Sequence, residues 1–265
     1  MSPPDEMGLT AEAAQGYEQF FVPAIFHQWP AKIISSAAIA ESDDVLDVGC
    51  GTGVLTREIV GHAATTTGFD LSESMLGVAR QVCPGATFKQ GNVTELPFGD
   101  SSFDAVVSAF MLMFVPEPKQ AVAQMRRVLR IGGRVVASVW QGLDNNPVYE
   151  ALVESTREVV GDQSAEAVAW PFTMGDVKKM EEIFAAEGLS RTSITPHDGY
   201  AEFPSVEDLV EIEVQAWLLA DSVSAEQIAE IAAVFRKKYS GFSHSEGPIR
   251  FPLNALIVKA ESGRR

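Results

Sequence analysis

A glycine stands at every second position of Gly49-Cys50-Gly51-Thr52-Gly53, directly after the apolar run 45–48, which contains Asp47. Glycines so spaced let a backbone turn sharply and approach a ligand closely, and the N–H groups of a following helix favour an electronegative group. The spacing is not that of the dinucleotide loop G-x-G-x-x-G. Counted from Gly49, its third glycine would fall at Val54, but it comes one place early, at Gly53. With that displacement, and with the acid Asp47 at its entrance, the loop suits a cationic group better than a pyrophosphate. An amino-acid moiety with an ammonium group meets that description. Asp70 closes the next apolar run, where an acid can accept both hydroxyl protons of a ribose. Gly91-Asn92-Val93 then offers a side-chain amide and a backbone N–H to the edge of a base, with Leu71 and Met75 against its face. The ligand so described is adenosine joined to an amino acid.

These residues need elements to position them. Segments 45–48, 65–70, 86–90, 103–108 and 134–140 read as short strands, with helices from Val54, after Ser72 and over 119–129 between them. Such alternation favours a parallel sheet covered on both faces, with the glycine loop, Asp70 and Asn92 at its carboxyl edge. Ser72 is placed to cap its helix, and Gly132-Gly133 to end the helix over 119–129. Before the core, 11–26 sets Ala14, Tyr17, Phe20, Phe21 and Ile25 near helical spacing, with a kink expected at Pro23, and 31–40 reads as a second helix. Beyond Gln141, helices are read over 147–160, 176–187, 205–219 and 225–239, and strands over 190–195 and 251–259. The expected fold is α/β, a doubly wound, seven-stranded, mostly parallel sheet. Residues 1–40 form a helical leader or cap, 41–142 the cofactor-binding core, and 143–265 complete the sheet with helical insertions that make a substrate lid.

Composition narrows the partners. Twenty basic against 36 acidic side chains in 265 residues leave a net charge of -16, which repels phosphate backbones and anionic lipid surfaces. No nucleic-acid partner is expected. The two cysteines, Cys50 and Cys83, lack metal-ligand spacing and are too few for a disulfide framework, so no metal is expected and a reducing compartment is implied. The first residues, MSPPDEMGLT, lack a basic and apolar signal pattern, and the longest apolar run, 109–115, is far short of a membrane span. The expectation is a cytoplasmic protein acting on a small molecule, with helical insertions that could support a homodimer.

Five blocks carry a further likeness: VLDVGCGTG at 45–53, GFDLSESML at 68–76, GNVTELPF at 91–98, FDAVVSAFMLMFV at 103–115 and VLRIGGRVVASVW at 128–140. In order and spacing they resemble the class I S-adenosylmethionine-dependent methyltransferases, in the branch of the ubiquinone/menaquinone biosynthesis enzymes. The resemblance implies S-adenosyl-L-methionine as cofactor, with Gly49, Cys50, Gly51 and Gly53 around its methionine part and Asp47 near the ammonium group. It places Asp70 on the ribose, with Leu71, Met75, Asn92 and Val93 about the adenine and Phe110 beside the cofactor. Relatives usually carry Asp where this chain has Asn92, and Pro where it has Ile131. The segment 17–23 with Phe26 and Trp29 is similar to the family's N-terminal cap, which implies that Tyr17 reaches the cofactor.

Methyl transfer from a sulfonium expels a neutral leaving group, so the enzyme chiefly aligns an acceptor and excludes water. No catalytic side chain is compulsory. His27, His197 and His244 are candidate general bases by their ordinary pKa, although nothing in the sequence fixes a partner for any of them. Phe21, Met113 and Trp140 are read as acceptor-binding, with Trp170, Phe172 and Trp217 as further aromatic candidates. Glu207, Asp208, Glu211 and Glu213 are read as the solvated face of their helix. The activity expected is methyl transfer to a small aromatic or lipophilic metabolite. A nicotinamide-dinucleotide oxidoreductase and a non-catalytic, cofactor-binding regulatory protein are the competing readings.

Overall fold

Strand β1, Asp44–Val48, lies inside the main sheet, parallel to β2, Thr65–Asp70, on one side and to β4, Phe103–Ala109, on the other. The structure is a computed structural model describing residues 10–218, 223–239, 241 and 247–263. Strand β3, Thr87–Gln90, extends the sheet beyond β2, and β5, Leu129–Trp140, pairs parallel to β4. Two further strands, β6 at Leu189–His197 and β9 at Ala255–Ser262, complete seven in the order β3-β2-β1-β4-β5-β9-β6, with β9 antiparallel to both neighbours. The expected mostly parallel, seven-stranded sheet is therefore present. Its strand order reverses between β1 and β4, and ligands of such sheets bind at the carboxyl ends beside that switch point.

Helices α3, Val54–Ile59, α4, Glu73–Val82, and α5, Pro118–Val128, follow β1, β2 and β4. Ser72 caps α4, its hydroxyl accepting the N–H of Met75 at 3.3 Å. Helix α5 buries Ala121, Val122, Met125 and Val128. Gly132 and Gly133 do not terminate it, as the sequence suggested. The helix stops at Val128, and both glycines lie inside β5, where the register with β4 shifts between Phe103 and Ala105. Gly133 is required there by closeness, because a Cβ would stand 2.7 Å from the Asp104 carbonyl oxygen.

The leader is helical throughout, but not as one amphipathic α-helix with a kink. Helix α1, Ala11–Gly16, passes directly into a wide π-type helix over Tyr17–Phe26 that absorbs Pro23, and α2, Trp29–Ala37, carries Pro30 in its first turn. Pro lacks an N–H donor, and a wider ladder or a first turn tolerates that loss. Beyond β5 come α6, Pro147–Val159, α7, Asp162–Ala169, and α8, Val177–Ala186; α7 had no counterpart in the sequence reading. The run 251–259 is also not one strand. Residues Ile249–Pro252 form β8, paired with β7, Tyr200–Phe203, in a separate two-stranded ribbon, and the chain enters the main sheet only at Ala255. Helix α9, Val206–Val210, runs on into a second π-type stretch, Glu211–Leu218, and α10 covers Ala225–Lys238. Among the described residues no helix is long and apolar enough to cross a membrane.

Candidate functional site

The loop after β1 folds back onto β2. The N–H groups of Gly49 and Cys50 both donate to the Phe69 carbonyl, at 2.7 and 3.1 Å. The next N–H, of Gly51, donates to Asp70 Oδ2 at 2.8 Å, and Ser72 N–H to Asp70 Oδ1 at 2.9 Å. Asp70 is thus clamped from two sides by backbone at the edge of the sheet, which fixes its carboxylate before any ligand arrives. Gly51 has φ +54, and a Cβ there would meet nothing within 4 Å, so the space above it is open. Gly49, at φ +70, is held closely, since its Cβ would stand 2.2 Å from the Met111 side chain. Gly53 closes the loop as the left-handed N-cap of α3.

Beneath the loop Asp47 is fully buried, with Thr56 Oγ1 donating to its Oδ2 at 2.6 Å. Its Oδ1 has no hydrogen-bond partner among the described residues, and neither has the buried hydroxyl of Thr52. Burial pushes the Asp47 carboxyl up to about 7, against the Thr56 hydrogen bond and with help from the Asp70 charge. Burial also raises Asp70, while the N–H groups of Ser72, Gly51 and Leu71 oppose the shift. Among the described residues no lysine, arginine or histidine contributes to either shift. A buried carboxylate without a positive partner is costly, so the loop is short of a cation. The ammonium of an adenosyl amino acid fits the unpartnered Asp47 oxygen, and its ribose hydroxyls fit the lone pairs that Asp70 retains beside its two backbone bonds. Cys50 is buried, its thiol raised by burial and by Asp70 and Asp47, so it is no nucleophile; the residue serves the loop through its backbone.

The leader lies over this loop. Tyr17 packs against the buried cluster of Ala14, Met75 and Val78, bringing the leader onto α4, and Glu18 Oε1 meets Arg57 Nη1 of α3 at 2.5 Å. The Tyr17 ring stacks on Phe21 and Phe26 at 5.6 and 5.5 Å between centroids. Burial and the charges of Asp70, Glu18 and Glu213 hold its hydroxyl far above the usual phenol range, so it stays protonated. From Phe26 the aromatic contacts continue to Phe110 and Trp140 at the carboxyl ends of β4 and β5, stacked on each other at 3.9 Å. Phe110 has φ +54, an unusual conformation for a bulky residue, fixed by its N–H to the Ser138 carbonyl at 3.0 Å.

The remaining sequence candidates fall as follows. Leu71 is 51% exposed beside Asp70, Asn92 is exposed, and Val93 is half-buried. The Asn92 side-chain oxygen accepts the N–H of Thr94 at 3.0 Å, so its carbonyl is partly engaged within its own turn. Met75 is buried. Phe21, Met113 and Trp140 are buried in the main core, and Trp170 Nε1 donates to the Met113 carbonyl at 2.8 Å, tying the insertion to the end of β4. His27 is exposed and bonded to the Tyr200 hydroxyl at 3.3 Å. His197 ends β6, two strands away from β5, with its pKa lowered by burial and Lys32. His244 and the Trp217 side chain lie outside the described residues.

One assignment is overturned. Glu213 does not belong to a solvated face: it is 8% exposed, and the Tyr149 hydroxyl donates to its Oε1 at 2.6 Å. Burial lifts its carboxyl to about 7 against that hydrogen bond. The signal was available, because Glu213 follows Leu209 by four residues and Val210 by three, on the apolar side of its helix. Glu207 and Glu211 are exposed as expected, and Glu207 pairs with Arg236.

A methyltransferase domain family matches residues 46–137, the stretch that builds the loop, Asp70, Asn92 and Phe110. A demethylmenaquinone methyltransferase of Listeria welshimeri is 31% identical over 193 residues, spanning 66% of this chain and 81% of that protein. The chain is a class I S-adenosylmethionine-dependent methyltransferase. The methyltransferase is similar also to a demethylmenaquinone methyltransferase of Renibacterium salmoninarum, 36% identical over 111 residues, which span 42% of this chain and 47% of that protein. Among solved structures, the phosphoethanolamine N-methyltransferase 2 of Haemonchus contortus in complex with S-adenosyl-L-methionine shares the methyltransferase's fold. Its TM-score is 0.62 at 19% identity, covering 98% of this chain and 59% of that one. S-adenosylmethionine is the cofactor, and neither competing reading from the sequence finds support in these likenesses.

Proposed function

We propose that this methyltransferase alkylates a small apolar or aromatic acceptor, with Asp47, Gly49, Gly51, Gly53 and Asp70 holding the cofactor and Phe110, Met113 and Trp140 bounding the acceptor. The cofactor supplies an electrophilic methyl on a sulfonium that leaves as a neutral thioether. Asp47 offers its unpartnered oxygen to the ammonium group, and Asp70, clamped by two N–H groups, offers its remaining lone pairs to ribose hydroxyls. Tyr17, Phe26 and Trp140 enclose the strand ends with aromatic surface, which excludes water and favours alignment over hydrolysis. The observation that carries this reading is the buried Asp47, with one oxygen unpartnered, and the backbone-clamped, half-buried Asp70 at a glycine loop, under a leader pinned to both flanking helices.

The test is calorimetric titration of S-adenosylmethionine and S-adenosylhomocysteine into the wild type, Asp70→Ala and Gly51→Val, with NADH as control. Saturable binding of both ligands, absent for NADH and lost in both variants, is the expected result. Equal affinity in wild type and variants would remove the loop and Asp70 from the cofactor site.

A further inference from the structure

Glu213 and Tyr149 form a buried polar pair that the cofactor loop does not account for. They come from different insertions, Tyr149 from the first turn of α6 and Glu213 from the π-type stretch after α9. The Tyr149 ring packs on Phe172 at 4.8 Å and Phe251 at 5.9 Å between centroids. Phe172 follows Trp170, whose indole N–H holds the Met113 carbonyl just past β4. The hydroxyl that holds the carboxylate therefore belongs to an aromatic cluster tied to the segment just past β4. The Glu213 charge also helps to raise the Tyr17 hydroxyl, as the Asp70 charge does. Among the described residues, burial and the Tyr149 hydroxyl are the influences on Glu213, with no lysine, arginine or histidine among them. A carboxylate so placed is left without a positive charge, and one brought in by a ligand would offset its desolvation.

We propose that Glu213, oriented by Tyr149, is the polar end of the acceptor pocket and that the acceptor is an apolar or aromatic amine whose ammonium docks on this carboxylate. This rests on the reading above that Phe110, Met113 and Trp140 bound the acceptor. Glu213 also gives the amine's proton somewhere to go. The carboxylate takes one proton from the ammonium, and the neutral amine uses its lone pair to form the N–CH3 bond. The S–CH3 bond breaks with its electron pair left on sulfur, and the product departs as an N-methylammonium ion. A carboxyl with a pKa of about 7 is suited to accept and return a proton near neutrality. Tyr149 acts as a positioning residue, its hydroxyl kept protonated by burial and by the Glu213 charge.

The test uses three isosteric probes, 2-naphthylmethylammonium, 2-naphthylmethanol and 2-naphthoate, titrated at about pH 8 into the full chain saturated with S-adenosylhomocysteine. The ammonium should bind about tenfold or more tightly than the alcohol, and the carboxylate weakest. In Glu213→Gln the ammonium and alcohol should bind alike, while S-adenosylhomocysteine affinity stays within about twofold of wild type. Tyr149→Phe keeps the carboxylate and removes its hydrogen bond. It should retain the ammonium preference but shift its onset to higher pH, an outcome that remains informative if Glu213→Gln does not fold. A wild type that shows no ammonium preference or binds none of the probes, a preference that survives Glu213→Gln, or one lost outright in Tyr149→Phe would overturn the proposal. Failure of the wild type to bind S-adenosylhomocysteine would instead overturn the cofactor-site reading beneath it.

Discussion

Asp70, half-buried, and Glu213, buried, are both carboxylates shifted upward by desolvation, but they are held in different ways. Asp70 ends β2 and receives backbone N–H groups from Gly51 and Ser72, so its geometry follows from the fold of the carboxyl ends of β1 and β2. Glu213 sits in a widened helical turn of an insertion and receives one side-chain hydroxyl from another insertion. Backbone donors are present whatever the local side chains are, whereas a Tyr–Glu pair is lost with either residue. On the proposed reading, the cofactor end is built into the architecture, and the acceptor end is written in side chains laid over it. One scaffold can in this way keep its methyl donor while its acceptor varies.

The largest effect should come from the junction of the two regions. Trp140 is stacked on Phe110 and packs against Phe26 and Trp29, so Trp140→Ala should destabilise the protein by about 3–5 kcal/mol, read from denaturant midpoints at constant m-value. A loss below about 1 kcal/mol would mean that the lid and leader close over the gap and that the aromatic chain is not a shared support. Next is Asp70→Ala, which removes a carboxylate already fixed by two N–H groups. S-adenosylhomocysteine affinity should fall by about a hundredfold or more, near 3 kcal/mol, with the Tyr149–Glu213 pair of the insertions unaffected. If Glu213→Gln cost as much cofactor affinity as Asp70→Ala, the division between the two ends would fail.

The same contrast explains what could be read from residues alone. The cofactor edge is made of local signals: an acid before alternating glycines, an acid closing the next strand, a serine capping the helix after it. Each is set by neighbours within a few positions, and Asp47, Gly51, Asp70 and Ser72 all lie where their spacing put them. The insertions depend on long-range meetings, such as Tyr149 with Glu213 and Trp170 with Met113, that no local pattern encodes. Glu213 was misread because a carboxylate was assigned to the solvated face by type rather than by its position on the helix. The run 251–259 was misread because apolar alternation does not mark where a chain leaves one sheet for another, here at Leu253 and Asn254. Gly132-Gly133 looked like a helix stop, yet its glycine is needed for the approach of β5 to the Asp104 carbonyl.

A smaller effect should appear on the pH axis. Asp47 ionises at 3.8 in an unfolded chain and at about 7 in the fold, so between those values the folded state holds the extra proton. The protein without ligand should therefore lose stability from this group as pH rises from about 4 to 7. Binding of a cation beside Asp47 runs the other way, because the ionised form is the one that attracts it. S-adenosylhomocysteine affinity should rise about tenfold from pH 6 to 8 and then level off, and Asp47→Asn should flatten that rise. A wild-type profile that is flat, or a slope kept by Asp47→Asn, would place the ammonium elsewhere.

The smallest effect separates fold from site within the cofactor edge itself. Ser72 does two jobs with different atoms: its hydroxyl caps α4 through Met75 N–H, and its own N–H clamps Asp70. Ser72→Ala deletes the cap and leaves the clamp. Stability should drop by about 1 kcal/mol, a shift of about 2–4 °C in Tm for a chain of this size, while S-adenosylhomocysteine affinity stays unchanged. Were affinity to fall along with Tm, the carboxylate would owe its position to the packing of α4 rather than to strand-edge backbone. The cofactor end would then be as dependent on a side chain as Glu213 is on Tyr149.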